Sequence, residues 1–327
     1  MPTLAVAMSP TRFDEVISPT TRTMIGERLD ARWADDTFPA GLTGLVSGAE
    51  VVLTSWGTPP LDTGLLLDGE RPAVVAHAAG TVKRLITPEA LAGGVVACSG
   101  ATRIAWSVGE YCLGAIFTLL RRLPQVDDTV RAGGWKQPGS AGGELRGRRV
   151  GLIGASSTAR ALITLLQPFG CDIVVHDPYL DADRAAALGV RRVSLPEALG
   201  SEVISVHVPN TPETENMITA ELVAMIPDGA VVINSARAPR STRLPWSPPR
   251  ATGRLSAALD VYDVEPVTLP TEWAACPNLL LTPHVAGDTV DGRRALAGFV
   301  LTDVLAWLEH GTRGPSFVDP SSWSIAA

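Results

Sequence analysis

The 327-residue chain is 46% hydrophobic and 19% charged, the balance of a globular protein with room for two domains, which excludes a disordered one. Lys and Arg number 27 against 34 Asp and Glu, and the formal net charge of −7 without a basic cluster argues against a nucleic-acid partner. No apolar run approaches the roughly 18 residues needed to span a bilayer, and the longest, 111–120, ends at Arg121-Arg122, so no membrane partner is expected. The start, Met-Pro-Thr-Leu-Ala-Val, has no basic segment and reads as a first strand, not a signal peptide. Apolar runs at 4–7, 51–53, 74–76 and 95–97 alternate with helix-like or loop segments and predict a small parallel α/β domain. Two loops follow its strands. In 54–61, Trp56 beside Gly57 either walls a substrate pocket or packs over the turn. In 77–81, His-Ala-Ala-Gly-Thr, small residues leave backbone N–H groups accessible to an anion such as a carboxylate, although tight strand-to-helix turns need small residues anyway. From 105 to 123, Val108, Cys112, Ala115 and Leu119 recur at helical spacing and predict a long helix. A looser Gly-rich segment, 124–145, is then expected to link the domains and to carry a dimer contact.

Residues 147–180 organise the rest of the chain. A buried strand at 150–153 leads into a small-residue turn at Gly154, then into a helical stretch in which Ala161, Leu162, Leu165 and Leu166 share a face. A second apolar run, 173–175, ends at Asp177. This is a βαβ unit with an acid at the position where a dinucleotide fold holds the adenosine ribose. Its turn departs from G-x-G-x-x-G, with Gly154, Ser156 and Ala159 at the glycine positions. Further runs at 203–208, 231–234, 255–261 and 279–281, with helices at 183–188 and 220–225, complete a doubly wound sheet of six strands. Ligands bind beyond the carboxyl ends of such strands, and polar residues cluster there: Gly154, Asp177, 207–209, 234–237, 260–265 and 282–284. Prolines 245, 248 and 249 forbid a regular crossover helix at 244–250. The stretch 295–310 reads as an amphipathic helix returning to the first domain, stopped by Gly311.

Five histidines carry the acid–base options. His310 suits a helix end, and His77, His176 and His207 suit structural roles at strand ends. His284, in Thr-Pro-His-Val-Ala-Gly after the last strand, is either packed or a proton donor and acceptor for an alcohol–ketone interconversion. Arg237 either grips a carboxylate through two parallel hydrogen bonds or pairs with Asp260. Glu265 is either a surface acid or a partner that favours the imidazolium of His284. The four cysteines, at 98, 112, 171 and 276, have no C-x-x-C spacing, and their apolar surroundings suit buried thiols in a reducing cytoplasm; no metal site is expected.

Taken together, 107–111, the βαβ unit, 207–214, 234–237, 259–261 with Glu265-Pro266, and 282–287 resemble the D-isomer-specific 2-hydroxyacid dehydrogenase family over nearly the whole chain. The resemblance implies two Rossmann-like doubly wound parallel-sheet domains: an NAD-binding domain, 103–287, inserted in a flavodoxin-like substrate-binding domain, 1–102 plus 288–327. It implies that Arg237 binds the substrate carboxylate and carbonyl, that His284 is the general acid/base with Glu265 as partner, and that the amides of Ala79 and Gly80 bind the carboxylate, with Trp56 nearby. NAD (NADH) would meet Gly154, Ser156, Ser157, Thr158, Asp177, Val208, Pro209, Thr214, Ala236 and Asp260, the last facing the nicotinamide carboxamide. Asp177, with no arginine directly after it, favours NAD over NADP. Ser156 replaces a glycine that lets the pyrophosphate approach, and its hydroxyl is expected to donate to phosphate. Ala238 and the prolines replace the usual Gly-Gly and crossover helix beside Arg237, and Ile104 stands where many relatives have asparagine. A small 2-hydroxy or 2-oxo acid is the expected substrate, and a cytoplasmic homodimer the expected form. A cofactor-binding regulator or corepressor-like protein of the same fold is the alternative from another class.

Overall fold

The structure is a computed structural model that describes residues 1–67, 72–209, 211–236 and 254–323. The chain divides into two compact units, Met1–Ile104 with Asp288–Ala327, and Ala105–Gly287.

The first unit runs β1 (Thr3–Ala7), α1 (Pro10–Val16), α2 (Pro19–Arg28), β2 (Asp30–Trp33), α3 (Leu42–Val46), β3 (Val51–Thr54), α4 (Thr63–Leu67), β4 (Val74–His77), α5 (Pro88–Ala92) and β5 (Val96–Ser99). Among the described residues its strands form one five-stranded sheet, ordered β2-β1-β3-β4-β5, with every pair parallel. That is the flavodoxin-like order. Side chains alternate across a strand, so one set of residues serves two cores. Leu4, Val6, Val51, Leu53, Val74 and Ala76 line one face, and Ala5, Ala7, Val52 and Val75 the other. Burial on both faces makes the central strands continuous apolar runs, which is why they are readable in the sequence. The sequence predicts four strands here and the structure has five. The addition, β2, lies at the sheet edge and alternates exposed Asp30 and Arg32 with half-buried Ala31 and Trp33, so it presents no apolar run.

After α6 (Ala101–Leu120), the second unit continues with α7 (Leu123–Arg131), β6 (Arg149–Ile153), α8 (Ser157–Leu166), β7 (Asp172–His176), α9 (Ala182–Ala187), β8 (Arg191–Arg192), α10 (Leu195–Leu199) and β9 (Val203–Val206). It ends with α11 (Ala220–Ala224), β10 (Val231–Asn234), β11 (Ser256–Leu259), α12 (Thr271–Ala274) and β12 (Leu279–Leu281). Among the described residues these strands form a seven-stranded parallel sheet, β12-β11-β10-β9-β6-β7-β8, whose order reverses between β6 and β9. This is the dinucleotide-fold order with one more strand at the β12 edge, and ligands bind at the reversal point. The seventh strand corrects the expected six. It is β8, two exposed arginines whose sole strand neighbour among the described residues is β7, with no apolar signature. The segment 124–145 is likewise less loose than predicted, because α7 occupies its start. Pro124 sits within the first helical turn, where its missing N–H has no partner to lose; Leu123, Val126 and Val130 share a face of α7, but the helix is short and buries none of them. The proline-rich stretch 244–250 lies outside the described residues.

Gly151 in β6 is the point of closest approach in this unit. A side chain there would strike the Ala198 carbonyl oxygen of α10 and come within 2.7 Å of Ser201 Oγ. The chain then re-enters the first unit as α13 (Val290–His310), which starts earlier than the predicted 295 because Thr289 caps it by accepting from Gly292 N at 3.0 Å. Leu296, Ala297, Val300, Leu301, Val304 and Leu305 of α13 pack into the same core as Leu4, Leu53 and Ala76. Gly311, at φ 70°, ends it.

Candidate active site and cofactor site

The turn between β6 and α8 is built to bring backbone close to a ligand. Gly154 has φ 97°, and a Cβ there would lie 3.0 Å from the carbonyl carbon and oxygen of His207, so only glycine fits. Val208 packs beside it, with Cγ1 3.1 Å from the same point, and Pro209 is half-buried. Ser156 caps α8, its Oγ accepting from Ala159 N at 3.4 Å, while Ser157 and Thr158 open the helix. Among the described residues no acceptor meets the amides of Ser157 and Thr158 at the start of α8, the kind of donors an anion uses. Asp177 follows β7. Its Oδ2 accepts from Ala155 N at 2.7 Å and its Oδ1 from Tyr179 N at 2.8 Å, so the acid braces the turn. A cleft of about 510 Å³ opens beside it, lined by His176, Asp177, Pro178, Arg192, Val193, Ser194 and Glu197. A positive-φ glycine without room for a side chain, a helix N-terminus and a strand-end carboxylate over a cleft are the parts a dinucleotide needs. Thr214 donates to Pro209 O at 2.6 Å and accepts from Thr211 N at 3.0 Å, which folds its loop on itself. Ala236 N donates to Asn234 Oδ1 at 3.3 Å.

The two residues expected to handle the proton are in contact. His284 Nδ1 and Glu265 Oε2 are 2.7 Å apart, and Glu265 Oε1 accepts from Tyr262 N at 3.0 Å, so the carboxylate is aimed by backbone as it holds the ring. His284 adopts φ 55°, a left-handed conformation uncommon for a residue other than glycine. Asp260 shows what holds it there. Fully buried, its Oδ1 accepts from Thr282 Oγ1 at 2.6 Å and from Val285 N at 2.9 Å, and its Oδ2 from Ala286 N at 2.9 Å. One carboxylate therefore holds the Thr282 side chain before His284 and the backbone amides of Val285 and Ala286 after it. The Thr282 proton is spent on Asp260, so Tyr111 donates its phenolic proton to Thr282 Oγ1 at 2.7 Å. The single phenolic proton of Tyr262 is shared between the carbonyls of Leu259 and Thr282, at 3.1 and 3.0 Å, tying the end of β11 to that of β12. Arg237 lies outside the described residues.

In the first unit, Trp56 is exposed in the turn after β3. Ala79 is buried and Gly80 half-buried after β4, with their carbonyls engaged by Gly100 N at 2.9 Å and Ser99 Oγ at 2.5 Å. Among the described residues no acceptor meets the N–H of either, which leaves two fixed donors. His77 is structural, buried with Nδ1 2.9 Å from Thr54 Oγ1. His176 Nδ1 lies 3.2 Å from Val193 O. Cys98 and Cys112 are buried as expected, and burial pushes their thiols up to about 12 and about 11, whereas Cys171 and Cys276 are half-buried. Among the described residues no group of three or more His, Cys, Asp or Glu is arranged to hold a metal.

A doubly wound sheet of this order, with such a turn at its reversal point and an acid ending the next strand, defines a dinucleotide-binding protein. Residues 113–286 match the NAD binding domain of the D-isomer specific 2-hydroxyacid dehydrogenases, and the chain belongs to that family. It is 28% identical over 279 residues to the D-3-phosphoglycerate dehydrogenase of Mycobacterium bovis, covering 85% of this chain and 52% of that one. The chain thus spans about half the length of the curated relatives it matches. Its fold is that of a phosphoglycerate oxidoreductase from Rhizobium etli, with TM-score 0.81 at 21% identity over 98% of this chain and 99% of the other. It is also similar to a D-isomer specific 2-hydroxyacid dehydrogenase from Lactobacillus delbrueckii solved with NAD, with TM-score 0.75 at 17% identity over 98% and 100% of the two chains.

Sequence reasoning missed Tyr111, Tyr262 and Thr282 as supports of the histidine loop, and Arg192 as a wall of the Asp177 cleft. Thr282, two residues before His284, was within reach of a motif reading. Tyr111 meets Thr282 across 171 positions, a separation that no local pattern bridges.

Proposed function

We propose that the chain is an NAD-dependent oxidoreductase interconverting a 2-hydroxy acid and its 2-oxo acid. The observation that carries this reading is the His284–Glu265 pair on a loop braced by buried Asp260, within the unit that contains the NAD binding domain. Bound NAD supplies or accepts the hydride. Gly154, Ser156, Ser157 and Thr158 hold its pyrophosphate, Asp177 its adenosine ribose, and Val208, Pro209, Thr214, Ala236 and Asp260 the remainder. Because Nδ1 of His284 donates to Glu265, Nε2 is the atom that passes a proton to the substrate oxygen in reduction and removes it in oxidation. Glu265 offsets the positive charge the ring carries before donation. Arg237 and the free amides of Ala79 and Gly80 hold the substrate carboxylate, with Trp56 against its side chain. Asp260 acts on the reaction by holding the His284 loop as well as by meeting the cofactor. The 1–102 plus 288–327 segment is the substrate-binding domain and 103–287 the cofactor domain of a cytoplasmic homodimer.

The test is NADH oxidation with glyoxylate, hydroxypyruvate, pyruvate and longer 2-oxo acids, and NAD reduction with D-3-phosphoglycerate, beside His284→Ala. Turnover of at least one acid that His284→Ala lowers by roughly 10²–10⁴ is expected. Clear NADH binding without turnover on any would instead support a cofactor-binding regulator. Comparable efficiency with NADPH would overturn the assignment of specificity to Asp177 and point to Arg192 in the same cleft.

A further inference from the structure

The hydroxyls of Ser156 and Thr158 and the imidazole of His207 form one hydrogen-bonded chain at the start of α8. Ser156 Oγ lies 2.8 Å from Thr158 Oγ1, which lies 3.1 Å from His207 Nδ1, and Ser156 Oγ already accepts from Ala159 N. Thr158 has a single hydroxyl proton, so this chain has two arrangements. With Nδ1 bare, Thr158 must donate to the ring and Ser156 to Thr158, which turns the serine proton inward. With the proton on Nδ1, the ring donates to Thr158 and Thr158 to Ser156, and the serine keeps its own proton for a ligand.

The other ring nitrogen decides between them. His207 is 2% exposed, and among the described residues its Nε2 has no hydrogen-bond partner. A proton on Nε2 would be a buried donor with no acceptor, whereas without it only a lone pair goes unused, the lesser loss. Burial pushes this imidazole down to about 4, so at neutral pH one nitrogen alone is protonated. We infer that His207, acting through Thr158, turns the Ser156 hydroxyl outward as a donor to the cofactor pyrophosphate. The inference rests on the NAD reading above and adds to it. Where the fingerprint of the fold has a glycine that only makes room, this chain has a donor whose direction is set from the core. Ser156 is the contact, and Thr158 and His207 are positioning residues.

Nitrogen-edited NMR of the NADH-free protein reads the tautomer without any activity, and the proton is expected on Nδ1 of His207. In fluorescence titrations, Ser156→Ala and Thr158→Val are each expected to weaken NADH binding about tenfold, the cost of one hydrogen bond to a charged group. The double variant should bind no more weakly than either single one, Thr158→Ser should restore affinity, and Ser156→Gly should gain nothing. A proton on Nε2, additive losses, or tighter NADH binding by Ser156→Gly would overturn the relay while leaving NADH binding by the unaltered protein intact. Failure of the unaltered protein to bind NADH would overturn the NAD reading and the relay with it. Should Thr158→Val not fold, the tautomer and the two Ser156 variants decide.

Discussion

Burial pushes the imidazoles of His77 and His207 down to about 4 from an ordinary 6.5, one histidine in each unit. Between those two values the unfolded chain binds protons that the folded one refuses, so stability rises with pH there, is complete above about 6.5 and is lost as pH falls toward 4. Each histidine contributes roughly 3 kcal/mol across that window, an upper figure set by the displacement itself. Urea unfolding at pH 7, 5.5 and about 4 should show the decline, and His77→Gln should flatten part of it; equal stability throughout would contradict the burial of both rings. His284, by contrast, lies at the surface, where a proton can be exchanged with a substrate. Its chemistry depends on neighbours that hold it in place. The candidate roles of His284 and Glu265 were legible as residue types at strand ends, and their 2.7 Å contact required the fold.

At the scale of elements, the β6–α10 contact and the β12 loop are the points where one atom decides the arrangement. Gly151→Ala would drive a methyl into the Ala198 carbonyl, and α10 must shift to admit it. Overpacking of this kind costs roughly 1–3 kcal/mol or more, so the variant should melt several degrees lower, measured by calorimetry. Asp260→Asn keeps the shape of the side chain and replaces one acceptor by a donor that must face Ala286 N–H or Val285 N–H. The loop carrying His284 should loosen, and kcat should fall by about tenfold or more while the circular dichroism of the sheet is unchanged, since charge-assisted bonds of this type contribute about 1.5–3 kcal/mol. Unchanged kcat would show that the histidine is held by other means. The elements hidden from sequence share one trait. The strands β2 and β8 and the helix α7 are short, lie at edges or surfaces and bury little, so no long apolar run marks them.

For the molecule as a whole, each unit has its own parallel sheet and its own core, and the NAD binding domain falls within the second. A ligand that binds only the folded form stabilises by mass action, so NADH at a hundred times its Kd should raise the unfolding free energy of the 105–287 unit by about 2.7 kcal/mol. Hydrogen exchange with and without NADH reads that gain unit by unit, and equal protection of both conditions would argue against cofactor binding.

The doubly wound architecture, its family and the candidate site residues were legible in the sequence alone, because buried parallel strands are continuous apolar runs and their ends are where polar residues collect. Asp177, Glu265 and His284 could be named from their places after such runs. Only the tertiary structure decided what each of these groups touches. Asp177 braces the turn through Ala155 N, and Asp260 spends three hydrogen bonds on the loop of His284. His207, read as a packing residue, reaches Ser156 through Thr158. Hydrogen bonds are set by ångström distances between atoms far apart in the chain, and residue patterns carry periodicity but not those distances.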